Sequence, residues 1–431
     1  MKYISTRHAA DRVSFLEAVE RGLAADQGLY VPESWPLIQP GEITDHSFIG
    51  IAQKILSPFL RDELTAHELH SLLKSAYDFQ IPLRYLKNDT AVLELFHGPT
   101  AAFKDIAARF LARFMNLKIS EQRTILVATS GDTGGAVASA FDEFKKFRAV
   151  VLFPRNGVSP LQRQQLTCWS DNVLSLEVNG SFDDCQRLVK TILGDAQVRE
   201  QFGLASKFRF TSANSINIGR LLPQMIYHSA AAIWYQQKTG HAPGLIIPTG
   251  NLGDAVAAFW ARKIGMPIRE ITIATNANTT LSNFYRTGRY EPRPSIRTLA
   301  NAMDVGAPSN LERLSDLHPD VHELKKISSA VSVLDDEIRH AIRHGKADWG
   351  EIWCPHTATA AVARERMKTP HWIIVSTAHP AKFSEIVNPL IGGEIEMPPN
   401  LAQLFERPSR STPVDATIES VAEALLGKTS H

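Results

Sequence analysis

A short aliphatic run, a turn rich in glycine or serine, and a helical stretch recur along this chain in that order. "RTILVATSGDTGGAVASAFDEF" is the first case: Ile125 to Ala128 enter the turn Ser130 to Gly135, and an alanine-rich helix follows. "NVLSLEVNGSFDDCQRLVKTIL" repeats the scheme from Asn172, with Ser181 or Asp183 as N-cap. "GLIIPTGNLGDAVAAFWARKIGMP" and "HWIIVSTAHPAKFSEIV" repeat it again, and "FRAVVLFP" and "REITIATN" supply further strands. Strands alternating with helices predict an α/β protein with largely parallel sheets. In such sheets ligands bind outside the carboxyl ends of the strands.

The pattern divides the chain. Residues 1–90 read as a mixed, mainly helical N-terminal domain. Residues 91–395 read as the α/β region, with a smaller subdomain around 120–210, and 396–431 as a C-terminal tail, polar and then helical. With 46 basic and 45 acidic residues the net charge is +1, so no global field favours nucleic acid or a membrane surface. Cys168, Cys185 and Cys354 lie far apart without CxxC spacing, which predicts free thiols and neither a disulfide framework nor a metal site. The N-terminus has no apolar signal region and no run is long enough to span a bilayer. A cytoplasmic protein, monomer or homodimer, is expected.

The strand ends carry the chemistry. In "PTGNLGD", Gly250 and Gly253 let the backbone fold tightly before a helix whose free amides can cradle a phosphate. The G-K-[ST] of a P-loop is absent, so the motif favours a small phosphate over ATP. A plain turn with Asp254 capping the helix is the competing explanation. "TSGDTGGA" is a second anion-friendly turn, with Ser130 and Thr133 as hydroxyl donors; there the alternative is a helix start capped by Asp132 or Thr133. "SANSINIGRLLPQ" clusters Asn214, Ser215, Asn217 and Arg220, groups able to hold an oxyanion or merely to open a helix. In "STAHPAKF" the Thr377 hydroxyl can face a ring nitrogen, or form a turn. "LFHGPTAAFKD" sets Lys104 beside Phe103 at a helix start. It is either an amine for carbonyl chemistry or a solvated lysine paired with Asp105. An amine, a phosphate cradle without a P-loop, a second oxyanion site and a hydroxyl together suit pyridoxal 5′-phosphate.

"ELFHGPTAAFKD", "TSGDTGGA", "SANSINIGR", "PTGNLGD", "NAMDVGAPSN" and "TAHPAKF", in this order, resemble the threonine synthase family, in its longer branch. The resemblance implies the tryptophan synthase β-like fold (fold type II) of pyridoxal-phosphate enzymes. It also implies O-phospho-L-homoserine as substrate, with L-threonine and phosphate as products. It assigns Lys104 as the catalytic Schiff-base lysine, and Gly250, Asn251, Leu252, Gly253 and Asp254 as the cofactor-phosphate loop. Thr377 becomes the partner of the pyridine nitrogen. Ser130, Asp132 and Thr133 would receive the substrate carboxylate. Arg155, Asn214, Ser215, Asn217 and Arg220 are candidates for the substrate phosphate. The family loop often reads G-N-F-G-D, and here Leu252 replaces the aromatic. His97 and His379 are expected to be structural or lining groups, and "NAMDVGAPSN" receives no role. Two rival readings are a serine or threonine dehydratase-like lyase and a non-catalytic relative that acts by binding.

Overall fold

The computed structural model describes residues 1–427. Among these residues thirteen strands build three sheets. In chain order these are β1 (Tyr3–Ser5), β2 (Tyr30–Pro32), β3 (Leu83–Tyr85), β4 (Thr90–Glu94), β5 (Arg123–Ala128), β6 (Phe147–Pro154) and β7 (Val173–Asn179). Then come β8 (Phe210–Ser212), β9 (Gly244–Pro248), β10 (Ile271–Thr275), β11 (Ser328–Ser332), β12 (Trp372–Ser376) and β13 (Thr412–Asp415). The larger sheet runs β11-β10-β9-β12-β4-β3, parallel except for the edge pair β3–β4. The smaller runs β13-β7-β6-β5-β8 and is parallel throughout. β1 and β2 form a separate antiparallel pair.

Successive side chains on a strand point to opposite faces, and here both faces are buried. On the larger sheet Leu245, Ile247, Ile271, Ile273, Ile373 and Val375 face one cluster. Their neighbours Ile246, Ala274 and Ile374 face a second one, with Ile338, Ile342 and Ala358 of the covering helices. On the smaller sheet Ile125, Val127, Ala149 and Val151 join the first cluster. Leu126, Val150 and Leu152 face a third, with Leu188 and Ile192 of helix Phe182–Gly194. One continuous apolar layer therefore lies between the two sheets. Helix Lys104–Lys118 runs through it, burying Ile106, Phe110, Leu111 and Phe114, and so does helix Gly253–Lys263. Each such fully buried large side chain contributes roughly 1.5–3 kcal/mol.

Two expected boundaries shift. The cut at residue 90 falls inside the larger sheet, because β3 (Leu83–Tyr85) is already its edge strand. The tail is an integral part of the smaller sheet: β13 pairs with β7, and helix Ile418–Leu426 packs Val421 and Leu425 onto the third cluster. No helix among the described residues is long and apolar enough to cross a membrane. The three cysteines are buried and unpaired.

Candidate active site

The carboxyl ends of β5, β8, β9 and β12 converge on one cavity of about 120 Å3. Lys104, Ser130, Asp132, Thr133, Asn214, Ser215, Arg220, Gly250, Asn251, Gly253, Asp254 and Thr377 all line it. Its walls also contain groups the sequence did not single out, among them Phe182, Gln186, Gln224, Met303 and His356.

Lys104 is the first residue of its helix, and its position is set by two straps. The Phe103 amide donates to the Thr377 carbonyl at 2.8 Å, and the His379 amide donates to the Ala101 carbonyl at 3.1 Å. The helix start is thereby tied to the loop after β12. Asp105 is not a partner for the lysine. Its carboxylate is buried and accepts from the Thr100 amide at 2.8 Å and the Thr100 hydroxyl at 2.7 Å. Lys104 Nζ lies 4.5 Å from the centroid of the Phe103 ring and makes no hydrogen bond among the described residues. Burial pulls its pKa down from 10.5 to about 8; Asp132 opposes the shift and Arg220 adds to it. A lysine in this state exchanges protons near neutral pH.

The turn after β9 is built to leave donors free. Leu252, not a glycine, takes the left-handed conformation, with φ 64°, and its side chain is fully buried as an anchor. The amides of Gly250, Asn251, Leu252, Gly253, Asp254 and Ala255 donate to no acceptor among the described residues, and no side chain caps the helix. Asp254 does not cap it either: its Oδ1 accepts from the Tyr227 hydroxyl and lies 2.7 Å from His228 Nε2. Gly250 has no room for a side chain, since a Cβ would lie 2.7 Å from Met303 Cα. At Gly253 a Cβ would meet its nearest neighbour, Ser215 Cβ, at an ordinary 3.4 Å.

The loop is held from outside. Asn251 Nδ2 donates to Ser215 Oγ at 2.7 Å, and Asn251 Oδ1 accepts from the Ser309 amide. Asn310 Nδ2 donates to the Asn251 carbonyl at 3.0 Å and to Ser215 Oγ at 3.2 Å. Arg313, fully buried, donates to Asn310 Oδ1, to the Ser215 and Ile216 carbonyls and to the Tyr30 carbonyl. "NAMDVGAPSN" is thus a structural element of the site, with Met303 and Val305 on the wall and Asn310 behind the cradle.

The turn after β5 has the same character. Gly131, not Asp132 or Thr133, is the N-cap, and the Thr129 hydroxyl accepts from the Gly134 amide of the first turn at 2.9 Å. The Ser130, Asp132 and Thr133 amides have no acceptor among the described residues. Asp132 pairs with Lys382 at 3.0 Å. Burial alone would raise its pKa, but Lys382 first and Lys104 next bring it down to about 2. Arg220 is buried with no acidic partner. Its Nη1 donates to the Ala213 carbonyl at 2.5 Å, Nε is unpaired, and burial lowers its pKa to about 10. A buried cation of this kind is a seat for an anion. Two candidates for the substrate phosphate are not brought to the cavity. Arg155 is exposed at the end of β6 beside Glu177 and Asp415. Asn217 is the fully buried N-cap of helix Ile218–Leu221, with its amide spent on the Val19 and Ser212 carbonyls. His97, bonded to Glu94 at 2.6 Å, and His379, whose Nδ1 accepts from the Ala381 amide, also lie outside the lining.

A family model described as pyridoxal-phosphate dependent enzyme matches residues 81–374. Models described as threonine synthase N terminus and threonine synthase, C-terminal match residues 2–77 and 356–425. The threonine synthase of Serratia marcescens is 37% identical over 99% of both chains. The crystal structure of threonine synthase from Escherichia coli superposes with a TM-score of 0.91 at 34% identity, covering 100% of both chains. That of pyridoxal-phosphate-bound threonine synthase from Brucella melitensis does so at 0.89, with 34% identity and 100% of both chains covered. The residues present fit that cofactor. Six free amides at a helix start suit its phosphate, an unbonded lysine amine suits its aldehyde, and the Thr377 hydroxyl has no hydrogen-bond partner among the described residues.

Proposed function

Because the chain belongs to the threonine synthase family of pyridoxal-phosphate dependent enzymes, we propose that its cavity takes O-phospho-L-homoserine and water and yields L-threonine and phosphate. It is a lyase with pyridoxal 5′-phosphate as cofactor. The observation that carries the reading is the run of free amides from Gly250 to Ala255 at the helix start that borders the cavity of an unbonded Lys104.

When bound, the cofactor draws electrons from the carbon that carries the substrate's amino group. Lys104 would hold the cofactor's aldehyde carbon and, once displaced by the substrate amine, carry protons to and from the neighbouring substrate carbons. A pKa of about 8 suits both directions of transfer. The 250–255 amides would hold the cofactor phosphate, adding the positive end of the helix dipole. Thr377 would face the ring nitrogen with a neutral hydroxyl, which does not hold that nitrogen protonated as a carboxylate does. The Ser130, Asp132 and Thr133 amides would hold the substrate carboxylate. Arg220 has donors to spare, and the Ser215 hydroxyl accepts two amide bonds while keeping its own proton to give. These two are the best-supported groups for the phosphate that leaves. Asn214 holds the wall instead: its amide bonds both the N–H and the carbonyl of Ala128. The unpaired buried thiols support a cytoplasmic setting.

The test is a paired assay of phosphate and threonine released from O-phospho-L-homoserine by wild type and Lys104→Ala. Equal yields from wild type and none from the variant are expected. Phosphate without threonine would mean an eliminating lyase, and near-normal turnover by the variant would remove Lys104 from the reaction.

A further inference from the structure

Lys382 follows β12 of the larger sheet, and Asp132 opens the helix after β5 of the smaller one. Their side chains meet at 3.0 Å, with almost no contact with solvent on either side. Lys382 Nζ also donates to the Thr100 carbonyl at 2.7 Å. A buried ion pair is seldom more stable than apolar groups filling the same space. Its presence here therefore calls for a reason in the site.

The turn that carries Asp132 supplies the free amides of Ser130, Asp132 and Thr133, read above as the seat of the substrate carboxylate. A seat for an anion that itself bears a carboxylate is in electrostatic conflict. The groups that face Asp132 are Lys382, Lys104 and His356. His356 supplies no charge: its Nε2 accepts from the Ala302 amide, and burial brings its pKa down to about 4. Lys104 holds the cofactor and, once displaced, takes up and releases protons, so its charge is not constant through the reaction. Lys382 is left as the standing counter-charge.

We propose that Lys382 is a positioning residue for the substrate: it holds and neutralises the Asp132 carboxylate so that the neighbouring amides are left to the incoming carboxylate. The proposal rests on the reading of the 130–133 turn as the carboxylate site.

The experiment is calorimetric binding of L-threonine and of L-threoninamide to the cofactor-loaded protein. Wild type should prefer the acid. Lys382→Met should lose about tenfold or more on the acid and little on the amide, since only the acid meets an uncancelled carboxylate. Lys382→Arg should retain the preference. In Lys382→Met burial raises the Asp132 pKa unopposed by its main partner, so acid binding should strengthen as pH is lowered and Asp132 takes a proton. A packing defect would not produce that dependence. Asp132→Asn, which removes the anion and frees the lysine, should keep the preference even if Lys382→Met fails to fold. Equal binding of acid and amide by wild type would overturn the carboxylate reading and the proposal with it. A wild-type preference that Lys382→Met leaves intact, or that Asp132→Asn abolishes, would overturn the role of Lys382 alone.

Discussion

Lys104 is held where an ammonium is poorly solvated, so it should weaken the fold that carries it. Replace it by methionine, which matches its length and carries no charge. A pKa of about 8 in place of 10.5 favours the neutral amine, and at about 1.4 kcal/mol per tenfold change in proton affinity this amounts to about 3 kcal/mol. That figure is a ceiling, because Lys104 borders the cavity and is only partly buried. A gain of roughly 1–2 kcal/mol at neutral pH is expected after allowing for solvent at the amine. The sign follows from proton binding. Between pH 8 and 10.5 the unfolded chain holds a proton on this lysine that the folded chain has released, so wild-type stability rises with pH across that window. Lys104→Met has no such proton. Its advantage should be full below pH 8 and fade as pH climbs toward 10.5. The assay is guanidinium unfolding of both proteins, freed of cofactor, across that pH range. A variant less stable than wild type at neutral pH, or a difference indifferent to pH, would refute the reasoning.

Gly250→Ala should destabilise the cofactor-free protein by roughly 1–3 kcal/mol, because the new Cβ is pressed against the Met303 backbone, and should loosen cofactor retention. Gly253→Ala should stay within about 0.5 kcal/mol of wild type in the same unfolding measurement, its Cβ finding ordinary contact. Arg313→Met should cost roughly 3–5 kcal/mol, since it strands the carbonyls of Tyr30, Ser215 and Ile216. Cofactor release, followed by absorbance after dilution, should speed up in that variant, although Arg313 does not line the cavity.

The sheets were legible because strands buried on both faces read as unbroken aliphatic runs ending in turns. β13 was not: "TPVD" is short, carries Pro413, and has an exposed pattern suited to an edge. Its partner is β7, far away in the chain, and no local pattern encodes that pairing. The free amides at 250–255 and at Ser130, Asp132 and Thr133 followed from turn chemistry that sequence does carry. Arg155 and Asn217 have the right side chains for an oxyanion, but composition cannot say on which side of β6 an arginine emerges, or that an asparagine is spent on capping. Asn310, Arg313 and Lys382 act through tertiary contacts from separate elements. The motifs that carry Asn310 and Lys382 were visible but their tasks were not, and Arg313 lay outside every motif.

The pairing of β13 with β7 also sets an order on the making of this protein. During synthesis β7 is complete long before Thr412–Asp415 emerge, so the growing chain carries an open strand edge until they do. The sheet that supplies the 130–133 turn is completed by a segment made far later than its other strands. Removing β13 and helix Ile418–Leu426 would therefore leave every residue of the cavity present and still deprive one wall of its support, baring the edge of β7 to pairing between copies.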